Sequence, residues 1–141
     1  MEWSDYLMGF AEHAARKSKD VTQVGAVLVG RNKEVLLTGF NGPPMGVRDL
    51  AARRERPTKY LFVSHAEANL IAFAARLGIR TEGCTVYVTH HPCSSCAKAL
   101  IQAGVAAVVV GNGTTSMPDD EFMAAAAMFQ EAGVKVARGR E

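Results

Sequence analysis

Residues 85–110 read TVYVTHHPCSSCAKALIQAGVAAVVV, and this stretch decides the fold. Thr85 to Thr89 alternates β-branched and aromatic residues and predicts a strand. Pro92 is placed to open a helix over Cys93 to Ala103, which Gly104 closes. Val105 to Val110 is then a second strand, too short to be anything but one core element. Two strands joined by a helical crossover lie parallel, which puts an α/β unit at the centre of the chain.

Working outward, His65 to Leu77 has helical spacing through Ala68, Leu70, Ile71, Ala74 and Leu77, with Gly78 placed to end it. Further upstream, Val24 to Val29 and Val35 to Phe40 flank the turn-like Gly30-Arg31-Asn32-Lys33 and predict an antiparallel hairpin. Ser4 is a candidate cap for a first helix running to about Lys17, on which Tyr6, Leu7, Phe10, Ala14 and Trp3 recur. Downstream, Gly111 to Met117 reads as a loop, Pro118 or Asp119 starts a helix ending near Gly133, and Val134 to Ala137 is a last strand. Asn41 to Lys59 has Gly, two adjacent prolines, a run of arginines and no period, so a long exposed loop is expected there. The order α-β-β-α-β-α-β-α-β predicts a mixed five-stranded sheet with the last strands parallel and helices on both faces, a three-layer α/β/α domain spanning 1–141.

The composition of the 141 residues, 48% hydrophobic and 21% charged, belongs to a globular chain with a core. A net charge of +2 argues against a partner that is a nucleic-acid polymer. No apolar run approaches the roughly 18 residues that cross a bilayer, and Met1 to Asp5 has no basic-then-apolar targeting pattern. Three cysteines, two of them in a C-x-x-C, fit metal or redox use better than a secreted disulfide framework, so a cytoplasmic protein is expected.

Two motifs carry chemistry, His65-Ala66-Glu67 and Pro92-Cys93-Ser94-Ser95-Cys96, each at the start of a predicted helix. Cys93 and Cys96 share one turn, where the helix N-terminus favours thiolates. With His65 they make three N/S ligands, a set that suits zinc and leaves the fourth position for water. Glu67 is then better placed as proton carrier than as ligand. H-x-E followed by P-C-x-x-C is the zinc deaminase signature.

The rest of the chain extends that likeness. Trp3 to Met8, Arg16 to Asp20, Gln23 to Ala26, Gly39-Phe40-Asn41-Gly42-Pro43-Pro44-Met45-Gly46, Thr58 to Tyr60 and the two motifs together resemble the deoxycytidylate deaminase family of the cytidine deaminase superfamily. The resemblance implies a cytidine-deaminase-like fold and a zinc-dependent hydrolase. It also implies that Asn41 bonds the sugar or base, that the backbone at Ala66 holds the pyrimidine, that activated water attacks C4 and that Glu67 moves the proton. It further implies a homo-oligomer, for which the Ala- and Met-rich last helix, with Phe122, Met123, Met128 and Phe129, offers a core or interface face.

The substrate is expected to be a cytosine nucleotide, dCMP foremost. The loop Gly111 to Met117 carries no aromatic where that family often has a tyrosine, which keeps an unphosphorylated nucleoside, nucleobase or related amino-heterocycle as the alternative. Arg48, Arg53, Arg54 and Arg56 are candidates for a 5′-phosphate, with a solvated basic loop as the competing reading. His91 is a candidate substrate contact, and His90 fits a solvent-facing loop. Cys84, isolated from the C-x-x-C, reads as a small buried apolar residue.

Overall fold

The computed structural model describes residues 1–139, so Arg140 and Glu141, the last two positions of the expected 1–141 domain, lie outside the described residues. Helix α1 covers Trp3–Ala15, strands β1 and β2 cover Gly25–Val29 and Val35–Phe40, and helix α2 covers Lys59–Phe62. Helix α3 (Ala66–Leu77), β3 (Thr85–His90), α4 (Ser94–Gln102), β4 (Ala107–Gly113), α5 (Asp119–Ala132) and β5 (Lys135–Arg138) complete the order.

The strands lie in one sheet in the order β2-β1-β3-β4-β5. β1 pairs antiparallel with β2 and with β3, while β3, β4 and β5 are parallel, so β1 alone runs against the others. Consequently the ends of β2, β3 and β4 and the start of β1 share one edge of the sheet, the edge at which α/β folds gather functional groups.

Alternation along β1 divides the core in two. Ala26 and Leu28 face Leu70 and Ala74 of α3, Leu100 of α4 and Phe129 of α5. Val27 and Val29 face Leu7, Met8 and Ala11 of α1. One helix therefore covers one face and three cover the other, the α/β/α layering expected from the hydrophobic periods. Every residue of β1 is buried, as a strand flanked and covered on all sides must be.

Several expected boundaries move. Ser4 does not cap α1: Glu2 holds the cap position, and the Ser4 hydroxyl donates across the fold to the Gly139 carbonyl at 3.1 Å. Strand β4, expected from Val105, begins at Ala107 and continues to Gly113, so Gly111 to Gly113 belong to β4 and not to a loop, because His90 extends the parallel pairing to Gly113. The segment 41–59 is not structureless, since it holds a 3-10 turn at Ala51–Arg54 and the start of α2. Such one-turn elements have too few residues to show a period. Gly78 and Gly133 do end their helices, each in the left-handed region with φ of 71° and 76°.

Gly25 marks the tightest contact between α1 and the sheet: a Cβ there would run into the Ala11 carbonyl and the Ala15 amide. Gly9, within α1, has open space at the same test. Gly25→Ala is therefore expected to cost about 3 kcal/mol, because backbone cannot yield as a side chain does, lowering Tm by roughly 10 °C. Gly9→Ala is expected to raise stability by about 0.5–1 kcal/mol. Thermal melts of both variants check this, and equal melting points would contradict the packing described.

Candidate metal centre and active site

Two helices begin at the shared sheet edge. Gly39 of β2 lets α3 come close, since a Cβ there would sit 3.0 Å from the Ala66 carbonyl and 3.3 Å from Leu70. This seats His65 at the N-cap of α3 and Glu67 in its first turn. Cys93 is the N-cap of α4 and Cys96 lies in that helix's first turn, with Pro92 buried ahead of them. The helix starts thus place His65, Cys93 and Cys96 together, with their ligand atoms within 4.8 Å of one another.

The spacing of that set fits zinc. His65 Nδ1 is 3.5 Å from Cys93 Sγ and 3.4 Å from Cys96 Sγ. In a tetrahedral centre with bonds of about 2.3 Å to sulfur and about 2.0 Å to nitrogen, neighbouring S and N ligands stand about 3.5 Å apart. Cys84 is buried elsewhere, its thiol donating to the Arg80 carbonyl at 3.3 Å, and does not join the set.

Charge at the site follows from burial and from the sharing of one proton. A hydrogen bond from the Cys96 thiol holds Cys93 down to about 4, with burial opposing and His65 assisting. Cys96, the proton donor of that pair and itself buried, is pushed up. The bond to Cys93 raises His65, against burial. Burial pushes Glu67 up to about 7, and its side chain is 4% exposed.

His65, Glu67 and Cys93 line one side of a cavity of about 300 Å³, together with Ala66, Asn41, His90 and His91. Asn41 is buried and its amide is already engaged: Oδ1 accepts from the Val24 N–H at 2.9 Å and Nδ2 donates to the Thr22 carbonyl at 2.8 Å. One N–H and one lone pair remain for a ligand. Thr89 Oγ1 accepts from the Gly25 N–H and also lies within hydrogen-bond distance of His90 Nδ1, at 2.7 Å. His91 Nδ1 lies 2.9 Å from the Pro92 carbonyl, which can only accept, so Nε2 of His91 is the acceptor. Both line the cavity, including His90, for which a solvent-facing loop was expected. Phe122, read as core or interface, is also at the wall and meets the His91 ring edge-on at 5.8 Å.

The candidate arginines separate. Arg56 lines the cavity. Arg54 pairs with Asp49 at 2.8 Å, and Arg53 lies over the Phe62 ring at 4.2 Å while donating to the Arg48 carbonyl, so Arg48, Arg53 and Arg54 are not brought to the cavity. Spacing could not separate them, because the 3-10 turn and its ion pair decide which way each side chain leaves the backbone. Lys59 and Asp20, which sequence reading gave no paired role, meet at the wall with Nζ 2.9 Å from Oδ1. Thr115, Ser116 and Met117 supply the wall where an aromatic is lacking.

Residues 1–112 match the model of the cytidine and deoxycytidylate deaminase zinc-binding region. An uncharacterized deaminase from the luxG 3′ region of Aliivibrio fischeri is 41% identical over 96% of this chain and 92% of its own. The human deoxycytidylate deaminase is 37% identical over 95% of this chain and 78% of its own. The dCMP deaminase of cyanophage S-TIM5, solved in complex with dCMP and dUMP, superposes with a TM-score of 0.77 at 29% identity, covering 95% of this chain and 94% of that one.

Because the Cys93–Cys96 pair shares one proton and zinc takes both sulfurs as thiolates, zinc must expel at least one proton on binding. Apparent zinc affinity is therefore expected to rise with pH, about tenfold per unit across the neutral range. Calorimetry in buffers of different ionisation enthalpy counts the protons, and a count of zero would contradict the shared-proton pair.

Proposed function

We propose, for a chain that belongs to the zinc-binding cytidine and deoxycytidylate deaminase family, that its reaction is the hydrolysis of dCMP to dUMP with release of ammonia. It is a zinc-dependent hydrolytic deaminase, and the dCMP and dUMP bound by the phage relative support the substrate class. The observation that carries the reading is a buried carboxyl, Glu67, in the same cavity wall as His65 and Cys93, two members of the ligand set that Cys96 completes.

Zinc, when bound, supplies a Lewis acid that makes water nucleophilic near neutral pH. The chain's own residues do the rest. Glu67 takes a proton from the attacking water, gives it to N3 as C4 becomes tetrahedral, then takes the remaining proton of the new C4 hydroxyl and passes it to the amine as ammonia departs and the carbonyl forms. Its burial keeps that carboxyl near the middle of its titration, where it can both accept and donate. Ala66 lies where backbone N–H groups lack intrahelical partners, which suits a donor to the pyrimidine carbonyl. The spare N–H of Asn41 serves the sugar or base, and His91 Nε2 adds an acceptor at the wall.

For the 5′-phosphate the candidate is Arg56, assisted by Lys59. One observation favours the alternative, an unphosphorylated nucleoside or amino-heterocycle: the Lys59 charge is already met by Asp20, whose side chain is 3% exposed. The whole chain is read as one deaminase domain. The apolar exposure of α5, with Met123 71% exposed, supports a homo-oligomer, so light scattering should return a multiple of the 15.1 kDa chain mass. Three unpaired cysteines, two of them needed as ligands, support a reducing, cytoplasmic setting.

Ammonia release against dCMP, deoxycytidine, cytosine and guanine tests the reading. Glu67→Gln is expected to keep zinc while losing about 10³-fold in kcat. Arg56→Ala is expected to raise KM for dCMP about tenfold or more, the loss of one charge-assisted contact, with little change for deoxycytidine. Turnover confined to unphosphorylated compounds would select the alternative, and full activity of Glu67→Gln would overturn both.

A further inference from the structure

Helix α4 carries both cysteine ligands, yet its own N-cap residue makes no side-chain cap hydrogen bond. The cap position is taken by Cys93, whose sulfur is turned to the metal set instead. A helix start without a cap leaves backbone N–H groups unsatisfied, at a cost of about 1 kcal/mol. Here a side chain from another helix fills the gap. Glu121, in the first turn of α5, accepts through Oε1 from the Ser94 N–H at 3.1 Å and from the Ser94 hydroxyl at 2.7 Å.

We propose that Glu121 is a positioning residue for the zinc centre, an interhelical cap that fixes the Cys93–Cys96 turn because the residue that would cap that turn is itself a metal ligand. Ser94 follows Cys93 directly, so the two bonds to Glu121 fix the backbone between the ligands. The bond to the Ser94 N–H sets the entry of the chain into the helix, and the bond to the hydroxyl prevents that turn from rotating about it. Outer partners of this kind set ligand direction, and their loss commonly costs ten- to a hundredfold in metal affinity or activity.

The same turn of α5 carries Phe122, which stands at the cavity wall against His91. Glu121 therefore ties the metal helix to the element that shapes the far side of the cavity. Nothing in this requires Glu121 to touch substrate, and the inference rests on the zinc centre without depending on which ring or phosphate is bound.

Cobalt substitution reads the position of the ligands directly, through the thiolate charge-transfer and d–d bands, and needs no substrate. Glu121→Ala is expected to lower cobalt and zinc affinity about ten- to a hundredfold and to shift those bands. Glu121→Gln, which keeps an acceptor in place, should retain most of the affinity and the wild-type spectrum. Ser94→Ala removes the hydroxyl bond alone and gives a milder loss in the same direction, and serves as the test should Glu121→Ala fail to fold. A lower melting point with unchanged affinity and unchanged bands, in whichever of Glu121→Ala and Ser94→Ala folds, would reduce Glu121 to an ordinary structural contact and overturn the proposal. Absence of dCMP turnover by the unsubstituted, zinc-loaded chain would instead count against the substrate reading and leave this one standing.

Discussion

Both helices that carry metal ligands begin at one edge of the sheet, where their ligand atoms come within 4.8 Å of one another. Each start supplies backbone N–H groups and the positive end of a helix dipole, which together favour anionic thiolates and a carboxylate that burial alone would neutralise. That convergence is set by the sheet. β1 running against its neighbours brings its own start beside the ends of β2 and β3. Gly39 allows α3 to pack tightly enough for His65 to reach the cysteines.

Around this centre the polar groups are arranged to hold segments far apart in sequence. The Asn41 amide ties the end of β2 to the segment before β1, and the Lys59–Asp20 pair ties α2 to the segment after α1. Removing one partner of that nearly buried pair would strand a charge, so it fixes the cavity wall more than it adds net stability. Thr89 plays a similar part, since one hydroxyl joins the Gly25 N–H at the start of β1 to His90 at the end of β3.

The strands, their crossovers and the starts of α3, α4 and α5 were legible because each is written in a local period or a punctuating residue. So was the metal set, because its ligands sit at helix starts in fixed spacing. What sequence did not disclose are pairings between distant residues. Ser4 looks like a helix cap and instead bonds Gly139, 135 positions away. Four arginines in one loop look alike, yet Asp49 and Phe62 hold Arg54 and Arg53 while Arg56 reaches the cavity. Glu121 sits in an acidic first turn that helix-dipole reasoning already explains, which hides its bonds to Ser94.

The account stands on a zinc centre with three protein ligands and one exchangeable position. Zinc X-ray absorption fine structure on the loaded protein addresses it most directly. The account predicts two sulfur neighbours at about 2.3 Å and two nitrogen or oxygen neighbours at about 2.0 Å, one of them replaceable by a small anion. A closed shell in which a fourth protein ligand resists exchange would mark a structural zinc and contradict the catalytic reading.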